Sequence, residues 1–72
     1  MKIGTIIDII YSKELSRLRL DDLVGRSGTI VEIQHTHDGT VYGCWVSLEG
    51  TPYQDEQEWF IPNSAIGEWK NQ

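Results

Sequence analysis

Cysteine, proline and long apolar runs are nearly missing from this chain, which has one Cys, two Pro and no uninterrupted apolar run longer than three residues, as at Ile9–Tyr11. Cys44 has no second cysteine to pair with, so no internal disulfide staples the domain. Nothing approaches the roughly 20 apolar residues that a bilayer-spanning helix requires, so no membrane span is expected. Cations are scarce too: 6 Lys plus Arg stand against 11 Asp plus Glu, for a formal net charge of -5. That sign disfavours the tracking of nucleic-acid phosphates or of an anionic membrane surface. The 72 residues leave room for a single domain, 1–72, which has little material to wall off a deep catalytic cavity beside its own core. We therefore expect neither an enzyme nor a cofactor. Asp8 interrupts the stretch of MKIGTIIDII that a secretion signal keeps apolar, and together with Met1 this reads as a cytoplasmic protein.

The charge is divided unevenly along the chain. Residues 1–31 hold five bases (Lys2, Lys13, Arg17, Arg19, Arg26) and four acids, whereas residues 32–72 hold Lys70 and seven acids, with Asp55, Glu56 and Glu58 clustered. At physiological salt, where the Debye length is about 8 Å, this asymmetry orients a partner only at close range. The acidic half also serves simply to keep a small domain soluble.

Turn residues recur at the spacing of short strands, which predicts an all-β chain. Residues 3–11 form a first strand, with Gly4 at a bulge or a close backbone approach. Residues 28–34 form the second. Asp38-Gly39 within HTHDGT is the strongest hairpin signal, leading into TVYGCWVSLE as the third strand. A longer loop over Gly50–Gln57 precedes EWFIP, the fourth strand, which Pro62 halts; NSAIGEW then supplies one turn and a short fifth strand. Residues 12–25 are ambiguous. Ser12 is suited to cap a two-turn helix and Gly25 to end it, but Leu18-Arg19-Leu20 alternates with period two. The reading preferred here is an excursion that lays its leucines over one end of a barrel.

The segments LVGRSGTIVEI, WVSLEG and EWFIPNSAI resemble, respectively, the Gly-centred entry of a KOW-type element and the last strands and 3-10 turn of an SH3-like barrel. The resemblance covers most of the chain. It implies a small five-stranded SH3-like barrel with a long excursion after strand 1 and a short 3-10 turn before the last strand. It leaves function open, because such barrels bind peptides, nucleic acids and protein subunits alike.

Strand alternation separates Tyr42, Cys44, Val46 and Leu48, expected inside, from Val41, Gly43, Trp45 and Ser47. On the fourth strand Trp59 and Ile61 are expected inside, and Phe60 and Pro62 outside. Ile6, Ile9, Ile30, Ile33 and Ile66 complete the expected core. Ile30 and Ile33 differ in parity, so burying both requires a bend or bulge in the second strand. An outward Trp45 forgoes about 2–3 kcal/mol of burial unless something covers it. The cover is either the chain itself, through residues 12–24 and the Tyr53 loop, or another protein.

The leading expectation is thus a protein-interaction or assembly module using Trp45, Phe60 and Pro62 with Tyr11 or Tyr53, its partner a protein or peptide. In the resembling peptide-binding domains, the matching Trp and Pro line a groove for polyproline II ligands. Here Ala65 stands where that groove would have a Tyr, and the excursion carries Lys13, Arg17 and Arg19 in place of acids. The alternative is a KOW-like nucleic-acid-associated domain in which Lys13, Arg17, Arg19 and Arg26 contact phosphates. A third reading is self-association through an unpaired edge strand. His35, His37 and Asp38 are too few for a zinc site, so no metal is expected. Cys44 reads as a small core residue, not a nucleophile. Gly25-Arg26-Ser27-Gly28 lacks the Lys and the helix of a phosphate cradle and reads as a tight turn. Asp55, Glu56 and Glu58 lack an apolar pocket that would separate their proton affinities.

Overall fold

A computed structural model describes residues 2–68. Five strands, β1 (Ile6–Ile9), β2 (Ser27–His35), β3 (Val41–Leu48), β4 (Glu58–Pro62) and β5 (Ile66–Glu68), form one antiparallel sheet in the order β4-β3-β2-β1-β5. The sheet curls into a half-barrel. Trp69, at the end of the NSAIGEW stretch, lies outside the described residues.

The core is made of β-branched and leucine side chains from every wall. Ile7, Ile9, Ile30, Cys44, Val46, Leu48 and Ile61 come from the strands, and Ala65 comes from a 3-10 turn at Asn63–Ala65. The first strand is shorter than the predicted 3–11. Gly4 takes φ +93° ahead of it and would have open space around a Cβ, so its role is the left-handed backbone and not a close approach. Ile6 is 41% exposed and leaves the expected core to Ile7 and Ile9, because those two share the inward parity of β1.

Two bulges set which side chains face out. Ile30 pairs with Val46 and Glu32 with Trp45, so Val31 is an extra residue on β2. Ile30 and Ile33 consequently both reach the core despite their opposite parity. On the other side, Gln34 pairs with Gly43 and His35 with Val41, so Tyr42 is the extra residue on β3. Simple alternation would have placed Tyr42 inside. The bulge turns it out, 49% exposed, and lets Val41 pack on the core in its place. The connecting hairpin follows the Asp38-Gly39 signal: Gly39 lies at φ +89° and its N–H donates to the Thr36 carbonyl at 3.0 Å.

The expected excursion after β1 is present, and it contains a short helix, α1 (Lys13–Arg17), and a 3-10 turn at Asp21–Leu23, so the helical alternative holds for its first part. Ser12 caps α1, its Oγ accepting from the Leu15 N–H at 3.1 Å. The helix ends well before Gly25. Arg19 adopts φ +61°, its N–H donates to Ser16 O at 2.9 Å and the Leu20 N–H donates to Leu15 O at 3.2 Å, the paired bonds of a Schellman cap. The apolar contact that accompanies such a cap is supplied by Leu15 and Leu20, both buried. With Leu23 they form one wall of the core, so the expected placement of leucines over the barrel end holds for these three, while Leu18 is exposed. Gly25, at φ +92°, turns the chain so that its N–H donates to Ile9 O at 2.8 Å before β2 begins, the tight turn expected there.

Candidate functional site

The outer face of the β2–β3–β4 sheet carries the aromatic residues that the sequence singles out. Trp45 and Phe60 are cross-strand partners with ring centroids 6.0 Å apart in an edge-on arrangement, and Tyr42 tilts against Phe60 at 5.6 Å. These distances fall in the range where aromatic pairs attract beyond simple burial. Gly43 makes the packing possible. A Cβ there would meet the Phe60 ring, whose Cε1 lies 2.7 Å from that position, and the Ile61 carbonyl oxygen at 2.8 Å. The three rings and Gln34 line a shallow, open hollow of about 330 Å³. Trp45 is 38% exposed. Glu32, opposite Trp45 on β2, accepts a 2.6 Å hydrogen bond from the Gln34 amide, which places a carboxylate beside the hollow.

Of the other residues expected at this face, none lines the hollow. Pro62 is buried, where outward exposure was expected: it lies opposite Gly43 and opens the 3-10 turn on which α1 packs. Tyr53 serves a different surface. Its ring meets Trp59 edge-on at 5.4 Å, and its hydroxyl donates to Asp22 at 3.1 Å, a bond to the carboxylate that raises the phenol's pKa. Tyr53 and Trp59 both pack on the core, and the Trp59 indole N–H donates to Glu56 O at 2.9 Å. The Tyr53 loop therefore folds over Trp59 and leaves Trp45 and Phe60 open. Tyr11 is 63% exposed and stands apart from the three rings.

The connection after β3, residues 49–57, is the longer loop expected there, and a tight turn within it gives it order. Tyr53 and Glu56 exchange both backbone hydrogen bonds around Gln54 (φ +50°) and Asp55 (φ +63°), a two-residue turn with both centres left-handed. Asp55 thus sits at the turn itself and Glu56 in the bridge that closes it.

The four basic residues are not equivalent. Lys13 and Arg17 lie on α1, and Arg19 is the left-handed residue of its cap. The Arg26 guanidinium donates from Nη2 to the carbonyls of Glu49, at 2.7 Å, and of Thr51, so it ties the loop after β3 to the start of β2. The Ser64 hydroxyl donates to Glu14 at 2.7 Å and, as the largest influence, lowers the pKa of that carboxyl; the bond fastens α1 to the second 3-10 turn.

His35 and His37 are exposed. Asp38 is engaged within its own hairpin, accepting from the Thr36 hydroxyl and from the Thr40 N–H at 3.0 Å, and these bonds lower its pKa to about 2. Among the described residues no group of three or more His, Cys, Asp or Glu side chains is gathered to hold a metal ion. The Cys44 thiol is fully buried in the core.

Fold and face together define a small curled antiparallel β domain with an aromatic hollow on its outer face. No protein-family model matches the chain, and no curated protein or solved structure matches it.

Proposed function

We propose that the chain is a small non-enzymatic interaction or assembly module of SH3-like, KOW-like architecture, working inside the cell and binding a protein or peptide partner through Trp45, Phe60 and Tyr42. The observation that carries this reading is the open hollow between the three rings. Large aromatic side chains that remain partly exposed and adjacent are the usual marks of a contact site. Packing of the rings against one another on hydrogen-bonded strands also restricts them before binding, so less side-chain entropy is lost when a partner covers them.

Capture of the partner by immobilised wild-type domain tests the reading. Trp45→Ala and Phe60→Ala should abolish capture while leaving the far-ultraviolet circular dichroism and cooperative unfolding intact, and Tyr11→Ala should change neither. If Trp45→Ala captures as well as wild type, the site is misplaced. If it unfolds the domain, Trp45 acts as core. Capture should also vary little between about 50 and 200 mM salt, whereas binding of RNA or DNA through Lys13, Arg17 and Arg19 would weaken steeply across that range.

A further inference from the structure

We propose that the hollow formed by Tyr42, Trp45 and Phe60 receives an arginine side chain of the partner polypeptide, a proposal that rests on the interaction reading above and adds the chemistry of the occupant. The first support is the shape and composition of the wall. Three π-faces and edges border a hollow of about 330 Å³ that opens to solvent, room for a planar group to stack against a ring. Guanidinium is the cation that most often occupies such positions, because it is planar, weakly hydrated and attracted to the negative face of the ring.

Charge supplies the second support. The three strands that build this face, Ser27–His35, Val41–Leu48 and Glu58–Pro62, contain no Lys and no Arg. They contain Glu32, paired with Trp45, and Glu58, which pairs with Ser47 and so shares the outward parity of Trp45 and Phe60. Gln34 lines the hollow and holds Glu32 by its amide N–H, which leaves the Gln34 carbonyl oxygen free of that bond to act as an acceptor. An entering guanidinium would find a ring to stack on and oxygen acceptors beside it for its N–H groups. A second copy of the chain fits less well. A symmetric contact would set two copies of a face that carries Glu32 and Glu58 and no base on its strands against each other, and like-charged faces oppose association.

The experiment uses the full chain labelled with nitrogen-15 and two blocked pentapeptides, glycine-serine-arginine-serine-glycine and the same peptide with citrulline, which keeps the planar shape and loses the charge. The arginine peptide should shift the Trp45 indole N–H and the amides of Gln34 and Phe60, with an affinity about tenfold above the citrulline peptide. Glu32→Gln should lower the affinity for the arginine peptide about threefold and leave the citrulline peptide unchanged. Trp45→Ala should remove the shifts from both. Equal binding of the two peptides at the same resonances overturns the choice of arginine and leaves the interaction reading standing. Absence of shifts with either peptide also overturns it, and the partner-capture experiment then decides the broader reading by itself. Shifts at these resonances on concentrating the protein alone would name a second copy as the occupant and overturn the proposal.

Discussion

Replacing Gly43 by Ala adds one methyl group at the place where the sheet and the aromatic hollow depend on each other. Two effects compete. An alanine restricts the unfolded chain, which where the native backbone tolerates it stabilises a protein by about 0.4–1 kcal/mol. Against this, the new Cβ would stand 2.7 Å from Phe60 Cε1 and 2.8 Å from the Ile61 carbonyl oxygen. The ring can swing away, but doing so gives up its edge contacts with Tyr42 and Trp45, worth about 0.5–1.5 kcal/mol per pair. The carbonyl belongs to β4, paired to β3 at Cys44, and moves only with the strand. Overpacking of this kind costs about 1–3 kcal/mol, so the clash wins and we expect net destabilisation of about 1–2 kcal/mol once the chain-entropy gain is subtracted. For a domain of this size that lowers Tm by about 4–15 °C. Urea unfolding gives the free energy, and the Phe60 ring-proton shifts report displacement of the ring. A double-mutant cycle with Phe60→Leu should return part of the loss, leaving the share due to the Ile61 carbonyl. Gly43→Ala matching or exceeding wild-type stability with unmoved Phe60 resonances would refute this account of how the hollow is built.

Three further outcomes follow from the hydrogen bonds. Arg26→Met should destabilise by about 1–2 kcal/mol in urea unfolding, since it removes donors to the Glu49 and Thr51 carbonyls, and peptide binding at the hollow should persist. Ser12→Ala should cost about 1 kcal/mol and raise hydrogen exchange over α1 before the rest of the domain, because Leu15 loses its capping acceptor. Asp38 is held ionised in the folded hairpin, with a pKa of about 2 against an ordinary 3.8. Its contribution is therefore fully present above pH 4 and fades as pH falls through about 2. The Thr40 amide shift should titrate near pH 2, and Asp38→Ala should remove that part of the acid dependence; a midpoint at the ordinary carboxylate value would contradict the Thr36 and Thr40 bonds.

Much of the fold was legible along the chain. Alternating β-branched residues mark the strands, Asp38-Gly39 marks the hairpin, Pro62 ends β4, and the parity conflict between Ile30 and Ile33 required the bulge that appears at Val31. These features depend on neighbours within a few residues, so composition and spacing carry them. The outward pair Trp45 and Phe60 was legible for the same reason, since both lie on strands whose parity can be counted.

What escaped has a shared physical origin in the backbone. Arg19, Gln54 and Asp55 take left-handed conformations that glycine ordinarily marks, so the early end of α1 and the tight turn at 54–55 left no signal in the residue types. The second bulge is equally silent: only the pairing of Gln34 with Gly43 and of His35 with Val41 turns Tyr42 outward and completes the hollow. Spacing along the chain thus determined an all-β domain with an aromatic pair on one face. Tertiary pairing decided that Tyr42 joins that pair, that Pro62 and Tyr53 do not, and that Glu32 stands beside it, because register between strands is set by how whole faces pack and not by any one residue.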